Sequence, residues 1–224
     1  MLYIDIYIFF EYNCYMCFKT RVAKKEKDMP QKAKFTKDEI LNVSLNIVRE
    51  SGWNSLTARN IGKSLNSSTR PIFTIFDSME ELQREVKISA RKLYDSYIEE
   101  ALKENDNDKI YFKCVGEQYI KFSLDEPKLF QLLFMEEQEE KTKFKSILPQ
   151  IENNYEKIIS SIKEQYKLNR ENSIKLYYHL WVYTHGIASL CATKMCTFSN
   201  MEIGNMLTEV FKSILKNLKD IGEN

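Results

Sequence analysis

The chain has 224 residues, of which 43% are hydrophobic and 29% charged, with only six Gly and four Pro. This composition excludes a disordered or low-complexity chain, fits one or two globular domains and, with so few turn residues, points to helices. The 33 basic and 32 acidic residues nearly cancel, so the chain lacks the global basic excess of many nucleic-acid binders, and any such signal has to be local.

The first eighteen residues, MLYIDIYIFFEYNCYMCF, are aromatic and apolar, but they contain Asp5 and Glu11 and lack both a basic start and a small-residue cleavage site. They make neither a secretory signal nor a helix able to span a bilayer, so no membrane partner is expected. Five cysteines, at 14, 17, 114, 191 and 196, are an odd number and suit a reducing, cytoplasmic setting better than a disulfide framework. Cys14 and Cys17 form a single CxxC with no second ligand pair, so no metal and no cofactor are expected. Beyond the polar stretch KTRVAKKEKD, the organised pattern starts at Met29. The expectation is that Met29 is the natural start and that 1–28 is a non-native or disordered extension.

Between residues 29 and 75 seven basic side chains stand against three acidic ones, a modest local excess. Thr36 and Glu39 have capping-box spacing, and Ile40, Leu41, Ser44, Leu45, Ile47 and Val48 make one apolar face that runs until Gly52. A second, short helix is predicted from Thr57, with Ile61 and Leu65 inward and Arg59 and Lys63 outward. Asn66 suits the left-handed turn that follows. Ser68 is then placed to cap a third helix with Pro71 in its first turn. Such a helix-turn-helix would present Thr69, Arg70 and Thr74 to a major groove. Short helix pairs also occur in proteins that touch no DNA.

Residues 36–82, and above all SLTARNIGKSLNSSTRPIFTIFDSMEEL at 55–82, resemble the DNA-binding domain of the TetR family of transcriptional regulators. The family's pattern is met by Thr57, Arg59, Ile61, Ser68, Ile72, Phe73, Phe76, Glu80, Glu81 and Leu82. Two departures stand out, because the family usually has Tyr at Phe73 and Lys at Met79, and both usual side chains contact DNA phosphate. The turn glycine and helix-two alanine are likewise replaced, by Asn66 and Gly62. The resemblance implies double-stranded DNA, a palindromic operator, as partner and a DNA-binding set of Thr57, Arg59, Lys63, Ser68, Thr69, Arg70, Phe73 and Thr74. Within it, Thr57 and the amides it caps suit a phosphate, Arg59 and Lys63 supply charge, and Lys32 and Lys34 make an arm. Arg70 is the best base reader, since its planar fork matches guanine O6 and N7. Phe73 either touches DNA or packs inside the small domain.

From 83 to 224 the pattern reads as a second helical domain, with helices near 79–104, 109–125, 128–136, 149–168, 172–195 and 201–219. The string ENDNDK, the Glu126–Pro127 pair, Pro149 as a helix start and CTFSN mark the breaks. YIKFSLDEPKLFQLLFM at 119–135 and HLWVYTHGIASL at 179–190 resemble a subgroup of the same family with a Trp, His, Gly signature, here Trp181, His185 and Gly186. The expected fold is therefore all-α, with a three-helix DNA-binding domain at 29–82 and a helical ligand-binding and dimerisation domain at 83–224. The resemblance implies a homodimer paired through the last two helices. The broad apolar stripe of Ile203, Met206, Leu207, Val210, Phe211, Ile214, Leu215 and Leu218 fits that use, as do the small Gly186, Ala188, Ser189 and Ala192, although burial within one chain would explain both. It also implies a repressor released by a small-molecule effector of unknown identity. Phe112, Tyr119, Phe122, Phe134, Tyr178 and Tyr183 are the candidate pocket residues, with Phe130, Met135, His179 and His185 beside them; plain core packing explains such residues equally well.

No enzyme is expected. The residues three before His179 and His185 are Leu176 and Val182, not the Glu of a di-iron bundle, and there is no phosphate loop or nucleophile elbow. A protein-interaction module of the same fold, without specific DNA binding, is the alternative that Phe73 and Met79 raise.

Overall fold

A computed structural model describes residues 34–104, 111–137 and 142–220, all helical or turn, with no strand among them. The extension at 1–28, the Cys14–Cys17 pair, Met29, Lys32 and most of the ENDNDK break lie outside the described residues. Residues from Phe35 onward pack as one compact unit.

The first helix, α1, runs Lys37–Ser51. Its capping box closes as predicted: the Glu39 amide donates to the Thr36 hydroxyl at 3.2 Å, and the Thr36 amide donates to the Glu39 carboxylate at 2.7 Å. Ile40, Leu41, Ser44 and Val48 are buried, while Leu45 and Ile47 are half-buried. Gly52, at φ 83, ends the helix, its N–H bonded to the Val48 carbonyl. That positive φ is cheap only for glycine. After a 3-10 turn at Trp53–Ser55, Ala58–Ser64 forms α2, with the Thr57 hydroxyl accepting from the Asn60 amide at 3.2 Å. Asn66 takes the left-handed conformation at φ 48.

The next segment departs from expectation. Instead of a third helix capped by Ser68, there is one 3-10 turn at Ile72–Thr74, with Pro71 at its start and no side-chain cap. The Pro71 carbonyl accepts both the Thr74 hydroxyl at 2.6 Å and the Thr74 amide at 3.4 Å. Ile72, Thr74 and Ile75 are β-branched and lower helix propensity. One helical i to i−4 bond survives, from the Phe76 amide to the Ile72 carbonyl at 3.0 Å.

The 26-residue α3, Met79–Glu104, buries Leu82, Val86, Ala90, Tyr94, Ile98 and Ala101 as one stripe along its length. Four- and three-residue spacing keeps these on one face. Then come α4 (Tyr111–Asp125) and α5 (Pro127–Phe134), the latter with Pro127 in its first turn, where a missing N–H costs nothing. The predicted single helix at 149–168 is two: α6 (Phe144–Ile151), which contains Pro149 rather than starting at it, and α7 (Tyr155–Tyr166). The break falls at Glu152, in extended conformation, whose side chain is turned into the protein rather than into solvent. Two long helices complete the chain, α8 (Arg170–Ala192) and α9 (Asn200–Asp220). Asn169 caps α8, and Ser199 with Glu202 caps α9 as a second capping box at 3.2 and 2.8 Å.

The centre of the packing is α4, which lies against α3, α5, α7 and α8; α1 lies across α3 and α5, and α9 packs chiefly along α8. Arg49 of α1 reaches the buried Glu126, just before α5, at 2.7 Å.

Candidate functional site

Three regions hold the residues singled out above. The first surrounds α2 and the turn after it. Ile61, Ile72 and Phe76 are buried, and this inward packing fixes what faces out. Thr57, Arg59, Lys63, Ser68, Arg70, Phe73 and Thr74 are exposed and Thr69 half-exposed. Phe73 is 47% exposed, so its ring is not packed inside. Gly62 is buried, and a Cβ there would stand 3.1 Å from the Ser67 carbonyl, close enough that helix and turn would have to give by a few tenths of an ångström. Of the expected phosphate arm, Lys34 is exposed. Met79, the first residue of α3, is half-buried against the core. The Glu81 carboxylate accepts from the Asp77 amide at 2.6 Å and its own amide donates to Ser78 at 3.2 Å, which holds the entry to α3 rigidly beside the turn.

The second region is the outer face of α8 and α9. A groove of about 450 Å³ runs between these helices, lined by residues including His179, Val182, Tyr183, Gly186, Met206 and Val210. Nothing lies within 4 Å of a side chain built at Gly186. Val182 is 47% exposed, Met195 and Met201 more so. The small-residue set splits: Gly186 borders the groove, whereas Ala188 and Ala192 are packed inside the chain. On α9 only Ile203 and Leu218 are buried, and Met206, Leu207, Val210, Phe211, Ile214 and Leu215 are half-covered. The α9 stripe is therefore only partly covered by the rest of the chain.

The third region is interior. Tyr94, fully buried, has Tyr119, Phe122 and Phe134 around it with ring centroids at 6.1, 5.4 and 5.2 Å, edge to face. Phe130 packs on Tyr119 at 5.1 Å. The Tyr119 hydroxyl and His185 Nδ1 share a 2.8 Å hydrogen bond, and Trp181 stacks on the His185 ring at 5.1 Å. The signature residues are thus linked to one another and to this aromatic cluster. Burial holds His185 below the ordinary imidazole value.

The predicted effector residues are not all brought together. Tyr119, Phe122 and Phe134 meet at Tyr94, Phe112 sits apart with Tyr166, Tyr177 and Phe211, Tyr183 faces the groove, and Tyr178 is buried. Met135 is exposed.

Beside Tyr94 lies a polar centre that periodicity did not reveal. Arg91 of α3 donates to the Ile151 carbonyl at 2.6 Å, to Asp95 at 3.2 Å and to Glu152 at 3.4 Å, with its guanidinium 5.1 Å over the Tyr94 ring and 5.9 Å over Phe134. Glu152 is 4% exposed, and burial pushes it up to about 7; Arg91 opposes that rise and Asp95 adds to it. The Tyr94 hydroxyl has no partner. Glu152 follows a helix with Pro149 inside it, and nothing in that pattern marks an acidic residue as buried.

Among the described residues no three His, Cys, Asp or Glu side chains gather to hold a metal ion, and no helix is long and apolar enough to cross a membrane. Comparison with protein-family models finds no match to this chain, and comparison with curated proteins finds none either.

Proposed function

We propose that the protein is a sequence-specific DNA-binding regulator of transcription of the TetR type. In this reading it is a homodimer that occludes a palindromic operator and is released by a small-molecule effector. One observation carries the reading. Around a left-handed Asn66 and a buried Gly62, Ile61, Ile72 and Phe76 turn inward while Thr57, Arg59, Lys63, Arg70 and Thr74 are each exposed. These residues offer a capped helix end for phosphate, flanking charge and a forked side chain for a base edge, with a single 3-10 turn where a helix-turn-helix has its second helix. The short 3-10 turn then serves as the reading element, with Arg70 at its leading edge.

Two-fold pairing through α8 and α9 would place two such modules on one duplex, so that each modest module gains from the other's binding. The half-covered stripe of α9 and the open groove at Gly186 support this pairing. Of the predicted effector residues, Tyr119, Phe122 and Phe134 come together at Tyr94 in close packing, and Tyr183 lines the groove between α8 and α9. The exposed Phe73 and apolar Met79 favour the second reading, a protein-interaction module that no longer selects a DNA sequence.

Selection from random duplex DNA decides between them. A palindromic consensus with half-sites about one helical turn or more apart is the expected result. Equal, weak binding to every duplex would overturn the regulator and leave the interaction module.

A further inference from the structure

Helix α8 ends in a tight reversal that returns Cys196 to the last turn, beside Cys191. The helix stops at Ala192, Thr193 caps it, and Lys194 takes the left-handed conformation at φ 58. The Met195 amide then donates back to the Leu190 carbonyl at 3.0 Å, and the Cys196 amide reaches the same carbonyl at 3.4 Å. A left-handed residue after a helix satisfies its last carbonyls in this way. The Thr193 hydroxyl donates to the Ser189 carbonyl at 2.7 Å, and Gln131 of α5 donates to the Ala192 carbonyl at 2.7 Å, so the end of α8 is held in place. Cys191 follows Leu190 directly in the chain. Standard bond lengths, taken from Cys196 through the shared carbonyl, keep the two Cα atoms within about 8 Å of each other. A disulfide asks for roughly 4.4–6.8 Å, and residues 193–197 between α8 and α9 are exposed, so the remaining approach leaves the core undisturbed.

We propose that Cys191 and Cys196 form an oxidation site that a hydroperoxide closes into a disulfide. Both are free thiols, and access gives them an order. Cys196 is exposed, whereas Cys191 is 7% exposed. Burial pushes the Cys191 thiol up, and the neighbouring Cys196 adds to the rise. The exposed sulfur therefore meets the oxidant. As a thiolate, Cys196 attacks one peroxide oxygen, the O–O bond breaks, and Cys196 becomes a sulfenic acid while hydroxide or alkoxide leaves and is protonated. The Cys191 sulfur then gives up its proton and attacks Cys196 Sγ; the S–S bond forms, the S–O bond breaks, and the oxygen leaves as water. Two thiols are oxidised by two electrons, and the hydroperoxide is reduced to water and an alcohol or a second water. In a reducing setting such a pair rests as thiols and closes only while oxidant is present.

Leu190 and Phe198, which flank the two cysteines, line the groove between α8 and α9, so closure pins that end of the groove. The site does not rest on the regulator reading, because the pair reacts whether or not the protein selects DNA.

The experiment treats the folded, reduced full chain with a small molar excess of hydrogen peroxide, blocks remaining thiols with N-ethylmaleimide and maps tryptic peptides. Lys194 stands between the two cysteines, so trypsin leaves 176–194 and 195–212 joined only by the disulfide. The expected product is that linked pair, lighter than the sum of its peptides by two hydrogens, in a protein that runs as a single chain without reductant. Dithiothreitol is expected to return both thiols. Dimedone, which traps sulfenic acids, is expected to label Cys196 in Cys191→Ser and to leave Cys191 unlabelled in Cys196→Ser. Both cysteines alkylated after peroxide, or Cys196 carried to a sulfinic acid with Cys191 still a thiol, overturns the site. A disulfide from Cys196 to a second chain, or to Cys14, Cys17 or Cys114, overturns it equally. Cys196→Ser changes an exposed residue, so it decides the matter even if Cys191→Ser fails to fold: a Cys191 that peroxide still oxidises in that variant overturns Cys196 as the point of entry.

Discussion

Arg70 and Lys63 are both exposed cations on the proposed DNA face, and their chemistry separates them. A guanidinium that takes a guanine edge with two hydrogen bonds discriminates between bases by about 1–3 kcal/mol, so Arg70→Ala is expected to relax selection at one operator position. Lys63→Ala, which removes charge alone, should weaken all duplexes alike and lower the salt slope by about one unit. Quantitative binding at several salt concentrations checks both, and an Arg70→Ala protein with unchanged selectivity would remove that residue from base reading. Glu152 carries a prediction of a different kind, about stability. Its ordinary value is 4.5 and burial raises it to about 7 in the fold, so between these the folded state holds the extra proton. Stability from this group is therefore full below about 4.5 and is lost as pH rises through about 7. The thermal midpoint of Glu152→Gln relative to wild type should rise between pH 5 and pH 8. A constant difference would mean that Glu152 ionises normally.

Among the elements, several end signals in the sequence act where they stand, although Ser68 starts no helix and Pro149 lies inside α6. Thr36 with Glu39, Thr57, Asn66 and Pro127 each act locally, through a hydrogen bond or a fixed dihedral, and the chain obeys them without reference to anything distant. Replacing Thr36 by Ala should cost about 1 kcal/mol in a denaturant titration. The segment at 68–76 forms one 3-10 turn at Ile72–Thr74 instead of a helix; the β-branched Ile72, Thr74 and Ile75 weigh against a longer helix, but a capped start at Ser68 with Pro71 in the first turn reads more strongly. The split at Glu152 is different. Asn153 and Asn154 beside it suit a turn and a helix start, while the burial of the Glu152 side chain there goes with its contact to Arg91, sixty-one residues away. Likewise the outward residues of α2 were legible from period alone, whereas Tyr94, at the hub of the aromatic cluster, is an ordinary stripe position until α4 and α5 are packed on it. Contacts between distant helices decide which aromatic residues share a site, and that is why the predicted effector set divides among several places.

At the scale of the molecule, the partly covered faces of α8 and α9 are where the proposed pairing is tested. A second copy laid along them would bury Val182 and the outer half of the α9 stripe, and each large aliphatic side chain removed from water adds about 1.5–3 kcal/mol. A charge placed at the centre of such a face would have to be desolvated against its own symmetry copy, because a two-fold axis brings like to like. Val182→Glu tests this without disturbing the interior, as Val182 is already 47% exposed in the single chain. The expected outcome is a folded monomer by light scattering where the wild type is a dimer, with unchanged helical content. Operator affinity should fall with it, while binding of one module to a half-site persists, because the avidity of paired modules depends on linkage and not on the reading surface itself. A Val182→Glu protein that stays dimeric would move the interface off this face, and the groove between α8 and α9 would then be open to another occupant.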